Sequence, residues 1–150
     1  MALNTDFTVG QILTAQQQNN FPRGLVSVTP ATAASGTFTT IITTITAPSF
    51  TAVANRYYRI SYFEPVLQFS SGTVNTIIMT LKIGGVDLLF NEVKISSATN
   101  NSGYLTTTKT LTAGATVITG HLTASGGGTG NAFRSATAVA QIVIEDLGST

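Results

Sequence analysis

From residue 24 onward, apolar side chains recur at every second position in short runs separated by turn-forming residues, the period of half-buried strands. The cleanest run covers residues 76–83. Ile77, Met79, Leu81 and Ile83 fall on one face and Thr76, Thr80 and Lys82 on the other, with Ile78 the single exception. Gly84-Gly85 then supplies a turn, and 86–95 reads as the partner strand of a hairpin. Further strands are expected over 25–29, over 37–47 as far as Pro48, and over 57–69, 104–111, 116–124 and 136–146. Pro65 has no N–H to give a ladder, so it predicts a bulge or an edge position within 57–69. Residues 96–103 and 126–131 read as loops and Ala113-Gly114 as a turn. About eight strands and almost no helix select an all-β, antiparallel β-sandwich or jelly roll over any α/β plan.

The first 23 residues have a different texture. Thr14-Ala15-Gln16-Gln17 is a capping box, with Thr14 accepting from the Gln17 amide and Gln17 reaching back to the Thr14 N–H. Pro22 drives Phe21 out of the α region, so the helix is limited to roughly 15–20. A helix so short is marginal alone. It is expected to be held by packing of Phe7, Ile12, Leu13 and Phe21, either on the chain's own sandwich or on a neighbouring chain. The expected organisation is an N-terminal segment with a short helix over 1–23 and a β domain over 24–150.

Composition narrows the function classes. The chain carries seven Lys or Arg and six Asp or Glu among 150 residues, against 27 threonines, so hydroxyls must hydrate much of the surface. The seven cations are scattered singly, which excludes a basic stripe for nucleic acid. There is no cysteine, which removes disulfides, thiolate metal sites and thiol nucleophiles. No apolar run approaches the 18 or more residues of a spanning helix, and the opening residues lack the basic and apolar regions of a secretory signal. The expectation is synthesis in the cytoplasm, with no membrane insertion.

Candidate chemistry is sparse. The glycine run at 126–130 lacks the Gly-Lys-[Ser/Thr] ending of a phosphate loop and precedes a strand, so it reads as a surface loop. His121 is the sole histidine and has no neighbouring Cys, Asp or Glu at metal-ligand spacing. It reads as a strand histidine, unless a threefold assembly gathers three copies on an axis. Asp87 with Glu92 is the acid pair to check for glycoside chemistry, and both read more simply as solvated charges of the hairpin. Glu145-Asp146 reads as a solvated strand end. No catalytic, metal or cofactor residue is assigned, and no enzyme is expected. The most distinctive stretch is Arg56-Tyr57-Tyr58-Arg59-Ile60-Ser61-Tyr62-Phe63. Tyr58, Ile60 and Tyr62 share the face expected in the core, which leaves Tyr57 and Arg59, with Tyr104 and His121, as candidate ligand or subunit contacts.

The strand at 54–62 resembles the aromatic strand of trimeric jelly rolls of the C1q/tumour-necrosis-factor type. Leu111-Thr112-Ala113-Gly114-Ala115-Thr116-Val117 resembles the turn and strand of that family, with Ala115 where it commonly has aspartate. Residues from Arg134 onward resemble its closing strand. The opening segment, Phe7 to Ala15 with Pro22-Arg23-Gly24, resembles that of small tailed-bacteriophage virion proteins. The resemblance implies a homotrimeric, non-enzymatic virion appendage on the tail or its fibres. Phe7, Ile12, Leu13, Phe21 and Arg23 would then attach it to other virion proteins, with host surface glycans as a candidate contact. Two alternatives stand beside it: a head-decoration or head-fibre protein on the capsid, and a free carbohydrate-binding module.

Overall fold

A computed structural model describes residues 12, 14–69, 75–95 and 100–150. Phe7 and Leu13, two of the expected attachment residues, lie outside the described residues. The chain opens with α1 (Ala15–Asn20), continues through β1 (Gly24–Ala31), β2 (Thr37–Phe38), β3 (Ile42–Thr46), β4 (Phe50–Ala52) and β5 (Arg56–Phe69), and reaches the hairpin β6 (Asn75–Ile83) and β7 (Val86–Ile95). Then follow β8 (Asn101–Thr110), β9 (Gly114–Thr116), β10 (Ile118–Ser125), β11 (Gly130–Phe133) and β12 (Ala140–Ser149). Eight of these strands have five or more residues, and the other four have two to four.

Every pairing is antiparallel, and the strands form two facing sheets and a small ribbon. The first sheet runs β1-β12-β5-β11-β2, with β8 on the other edge of β5; the second runs β3-β10-β6-β7; β4 and β9 form the ribbon. This is an all-β antiparallel sandwich of jelly-roll type. Tyr58, Ile60, Tyr62, Leu67, Leu105, Ile142 and Ile144 point inward from the first sheet and meet Ile45, Ile77, Met79, Leu81, Ile118 and Leu122 from the second. The facing strands approach closely where a side chain is missing. Gly120 lies under the Tyr62 ring, and a Cβ there would come within 2.9 Å of it.

Several expectations shift at their edges for identifiable reasons. The expected strand over 37–47 is two strands in different sheets, β2 and β3, because the chain crosses the sandwich between them. β8 begins at Asn101, within the expected loop over 96–103, and β11 begins at Gly130, within the expected loop over 126–131. The closing strand starts at Ala140 rather than near 136, because a turn at Ser135–Ala138 and an inward Arg134 occupy those positions. Pro65 acts as its chemistry requires. On one side of β5 the β8 register shifts between Glu64 and Leu67; on the other, β11 stops opposite Val66 and β12 resumes opposite Phe63.

The gap opposite Pro65 is filled by a buried ion pair. Arg134 leaves the sheet and forks onto Glu64 through Nε, at 3.0 Å from Oε2, and Nη2, with side chains 2% and 0% exposed. Its Nη1 donates to the Thr44 carbonyl of β3 at 3.2 Å. Tyr62 donates its phenol to Glu64, and the Thr44 hydroxyl lies 2.7 Å from that phenol and 3.2 Å from the Gly120 carbonyl. Burial, then the Glu64 charge, pushes the Tyr62 phenol well above its ordinary value, so it stays a donor.

A second buried pair corrects the reading of Glu145-Asp146 as a solvated strand end. Asp146 is buried and takes a fork from Arg56, at 2.7 Å on each arm. The remaining Arg56 donors reach the carbonyls of Asn19 and Phe21, satisfying acceptors that the end of α1 leaves over. The helix has the expected capping box, with Thr14 Oγ1 accepting from the Gln17 amide at 3.2 Å and Gln17 accepting from the Thr14 N–H at 2.9 Å. Polar contacts thus tie the end of α1 to the first sheet, and Phe21 is half-buried. Ile12, expected to pack on the sandwich or on a neighbouring chain, is 89% exposed on this chain.

Two predictions follow from these pairs. Arg134→Ala strands the Glu64 charge in the core and is expected to cost about 3–5 kcal/mol, whereas Glu64→Leu with Arg134→Met recovers most of the loss. Urea denaturation checks both, and a single variant as stable as the parent would contradict the buried network. For Asp146, burial raises the carboxyl, but the Arg56 hydrogen bond, the Gly148 amide and the Arg56 charge outweigh it and hold the group below its ordinary 3.8. A depressed folded value contributes stability above the unfolded value and loses it as pH falls through the folded one. Stability should therefore decline on acidification below about pH 4, and Asp146→Asn should flatten that decline; an unchanged slope in unfolding measurements from pH 3 to 7 would refute the assignment.

Candidate functional site

The outward face of β5 is set by the strand period. Because Tyr58, Ile60 and Tyr62 point into the core, Tyr57, Arg59, Ser61 and Phe63 point out. The register brings three cross-strand rows onto this face: Gln141, Phe63 and Tyr104; Val143, Ser61 and Thr106; and Glu145, Arg59 and Thr108. Arg59, Ser61, Phe63, Tyr104, Gln141 and Glu145 line a shallow depression of about 360 Å³, floored by Val143.

Hydrogen bonding fixes the orientation of its parts. Tyr104 opposes Phe63, yet its phenol donates to Ser61 Oγ at 3.2 Å, two positions farther along β5. The ring therefore lies across the sheet, and it remains 55% exposed. Ser61 Oγ is also 3.0 Å from the Thr106 hydroxyl. Arg59 forks onto Glu145 through Nε at 2.7 Å and Nη2 at 2.9 Å, with Nη1 outside the fork. That hydrogen bond, then the Glu145 charge, raises Arg59, and the same hydrogen bond holds the Glu145 carboxyl below its ordinary 4.5 despite some desolvation. Both groups are therefore ionised at neutral pH. Among the described residues Arg59 and Glu145 are the only charged ones lining the depression.

Of the candidate contacts, Arg59 and Tyr104 meet in this depression, and Tyr57 lies on the same face one step along β5. His121 is elsewhere. It sits on β10 in the second sheet, within 3.3 Å of the Thr43 hydroxyl through Nδ1 and 2.8 Å of the Thr119 hydroxyl through Nε2. Burial, then Lys82, lowers its pKa below the ordinary 6.5, so the ring is neutral at pH 7. Gln141 and Glu145 were not singled out from the sequence as contacts, because only the β5–β12 register reveals their place.

The described residues offer little for catalysis. Asp87 and Glu92 do not face each other across the hairpin: both are on β7, and Asp87 pairs with Lys82 at 2.9 Å. Among the described residues four of the five acids are in ion pairs. Among the described residues no three His, Asp or Glu side chains gather as a metal site, and no helix is long and apolar enough to cross a membrane. A second depression, of about 380 Å³, is lined mainly by Ala, Ser and Thr beside Arg134. It has no aromatic surface, and the Arg134 donors are directed to Glu64 and to main-chain carbonyls.

Comparison with protein-family models gives no match, and comparison with curated proteins gives none either. Among solved structures the chain is similar to a carbohydrate-binding module CBM36 in complex with calcium and xylotriose, at 17% identity and a TM-score of 0.39, over 80% of this chain and 91% of that one. It is also similar to the CBM22-1 xylan-binding domain of Paenibacillus barcinonensis Xyn10C, at 8% identity and a TM-score of 0.37, over 84% of this chain and 96% of that one.

Proposed function

We propose that this chain is a non-catalytic β-sandwich module that binds carbohydrate on the outward face of β5, β8 and β12. The observation that carries this reading is the Tyr104 ring, laid across the sheet and exposed, with the Gln141 amide and the Arg59–Glu145 fork beside it. An aromatic plane offers apolar contact for the C–H face of a sugar ring. Planar side chains with spare donors and acceptors match its hydroxyls. The supporting residues sit on strands whose other faces are buried, so little ordering is lost on binding.

A second reading follows from the family resemblance: the module is displayed as a homotrimer on a bacteriophage virion, on the tail or its fibres or as a head decoration. Leu25 and Val28, exposed on β1 and in line with Glu145 and Val143, and the exposed Tyr57 favour packing beside copies of itself. Attachment through the N-terminal segment is best tested by removing 1–13, since removing 1–23 would also strip Arg56 of its carbonyl acceptors.

Tyr104→Ala should weaken binding to immobilised glycans at least about tenfold, the scale of one aromatic hot spot. Tyr57→Ala, outside the depression, should lose less. Calorimetry showing unchanged affinity for Tyr104→Ala would contradict the placement of the site. Light scattering of the intact protein should give three times the 15.6 kDa chain mass, and a monomer mass would remove the trimer.

A further inference from the structure

The charge arrangement of the depression carries a selectivity, which rests on the carbohydrate reading above. Arg59 is a guanidinium whose charge is already met by a bidentate carboxylate 2.7 and 2.9 Å away. No other charged residue among those described lines the depression. A carboxylate or sulfate group of an acidic glycan would therefore meet no free cation. It would have to approach the Glu145 carboxylate or compete with it for Arg59, and the like charge of Glu145 opposes both steps. A neutral sugar meets a different arrangement. Arg59 Nη1, outside the fork, is a donor, and each Glu145 oxygen holds a further lone pair after accepting one N–H. A donor beside an acceptor suits a pair of adjacent hydroxyls, one accepting and the other donating. Gln141 repeats the combination in a single amide. Four residues of extended strand separate it from Glu145, about 13 Å, with the exposed Tyr104 ring alongside. The site is long enough for more than one sugar ring.

We propose that this depression is a site for neutral oligosaccharides bearing vicinal hydroxyls, and that Glu145, by occupying Arg59, excludes uronates, sialylated glycans and sulfated glycans. Glu145 acts as a selectivity residue as well as an acceptor. Its replacement by Gln keeps the shape but frees the charge of Arg59, so the exclusion reverses.

The test uses the intact protein and paired probes: neutral oligosaccharides such as cello-, manno- and xylo-hexaose with oligogalacturonate, and lactose with sialyllactose. The wild-type protein should bind at least one neutral probe, with an affinity that changes little between 50 and 500 mM salt, about one decade of ionic strength, and at least about tenfold tighter than its acidic partner. Glu145→Gln should lose part of the neutral affinity and gain salt-sensitive binding of the acidic probe, with an unchanged unfolding midpoint as the folding control. Wild-type protein that prefers the acidic probe would overturn the selectivity and leave the carbohydrate reading standing. Absence of binding to either class, on these probes and on a broad glycan array, would overturn both. Preserved neutral preference in Glu145→Gln would show that the Arg59 charge is irrelevant and refute the role of Glu145.

Discussion

The Arg134–Glu64 pair is the constraint on which the rest of the sandwich depends. It sits where Pro65 interrupts the ladders of β5, and it turns that interruption into a junction. Glu64 belongs to the first sheet, the Thr44 carbonyl to the second, and Arg134 to the connection between β11 and β12; one guanidinium joins all three. Desolvating such a pair is costly, and an apolar replacement of equal volume would serve stability about as well. What apolar packing would not supply is direction. The fork, the Tyr62 phenol and the Thr44 hydroxyl accept only one relative placement of the sheets, and Gly120 leaves the space that this placement requires.

This placement bears on function because β5 has two faces. The face that carries Tyr58, Ile60, Tyr62 and Glu64 is fixed by the core and by the buried pair. The other carries Arg59, Ser61 and Phe63, so rigidity inside is transmitted as preorganisation outside. Charge is divided in the same way. Among the described residues four ion pairs absorb eight of the chain's thirteen charged side chains, two of the pairs buried. Little charge remains to generate a long-range field that steers a ligand. The proposed recognition of a neutral saccharide accordingly rests on short-range contact with aromatic and planar polar groups.

Much of the fold was legible because it is local. The capping box at Thr14 and Gln17, the two-glycine hairpin after Ile83, the inward face of Tyr58, Ile60 and Tyr62, and the disturbance at Pro65 all follow from neighbours in sequence. The missed elements are those held by distant partners. β4 and β9 are three residues each and exist because they pair with one another, across more than sixty positions. Arg134 and Glu64 are 70 residues apart and Arg56 and Asp146 are 90 apart, so nothing local distinguished these buried arginines from surface ones. The candidate site divides along the same line. Alternation along β5 exposes Arg59 and Tyr57, but Gln141 and Glu145 reach the depression only through the register of β12.

That register links the interior to the site through one dipeptide. Glu145 and Asp146 are adjacent, so the strand period sends one out to Arg59 and the other in to Arg56. A slip of β12 by one residue would exchange them, placing a carboxylate against apolar core and removing the partner of Arg59. The bulge between Asp146 and Gly148 resists the slip: Gly148 adopts a φ of +105°, donates its N–H to Asp146 at 2.9 Å, and leaves open the space where a Cβ would press on Asn20 and Pro22. The Arg56 latch thus does more than hold the N-terminal helix. By committing Asp146 to the interior it commits Glu145 to the surface, and the neutral charge of the depression is a consequence of how the core is closed.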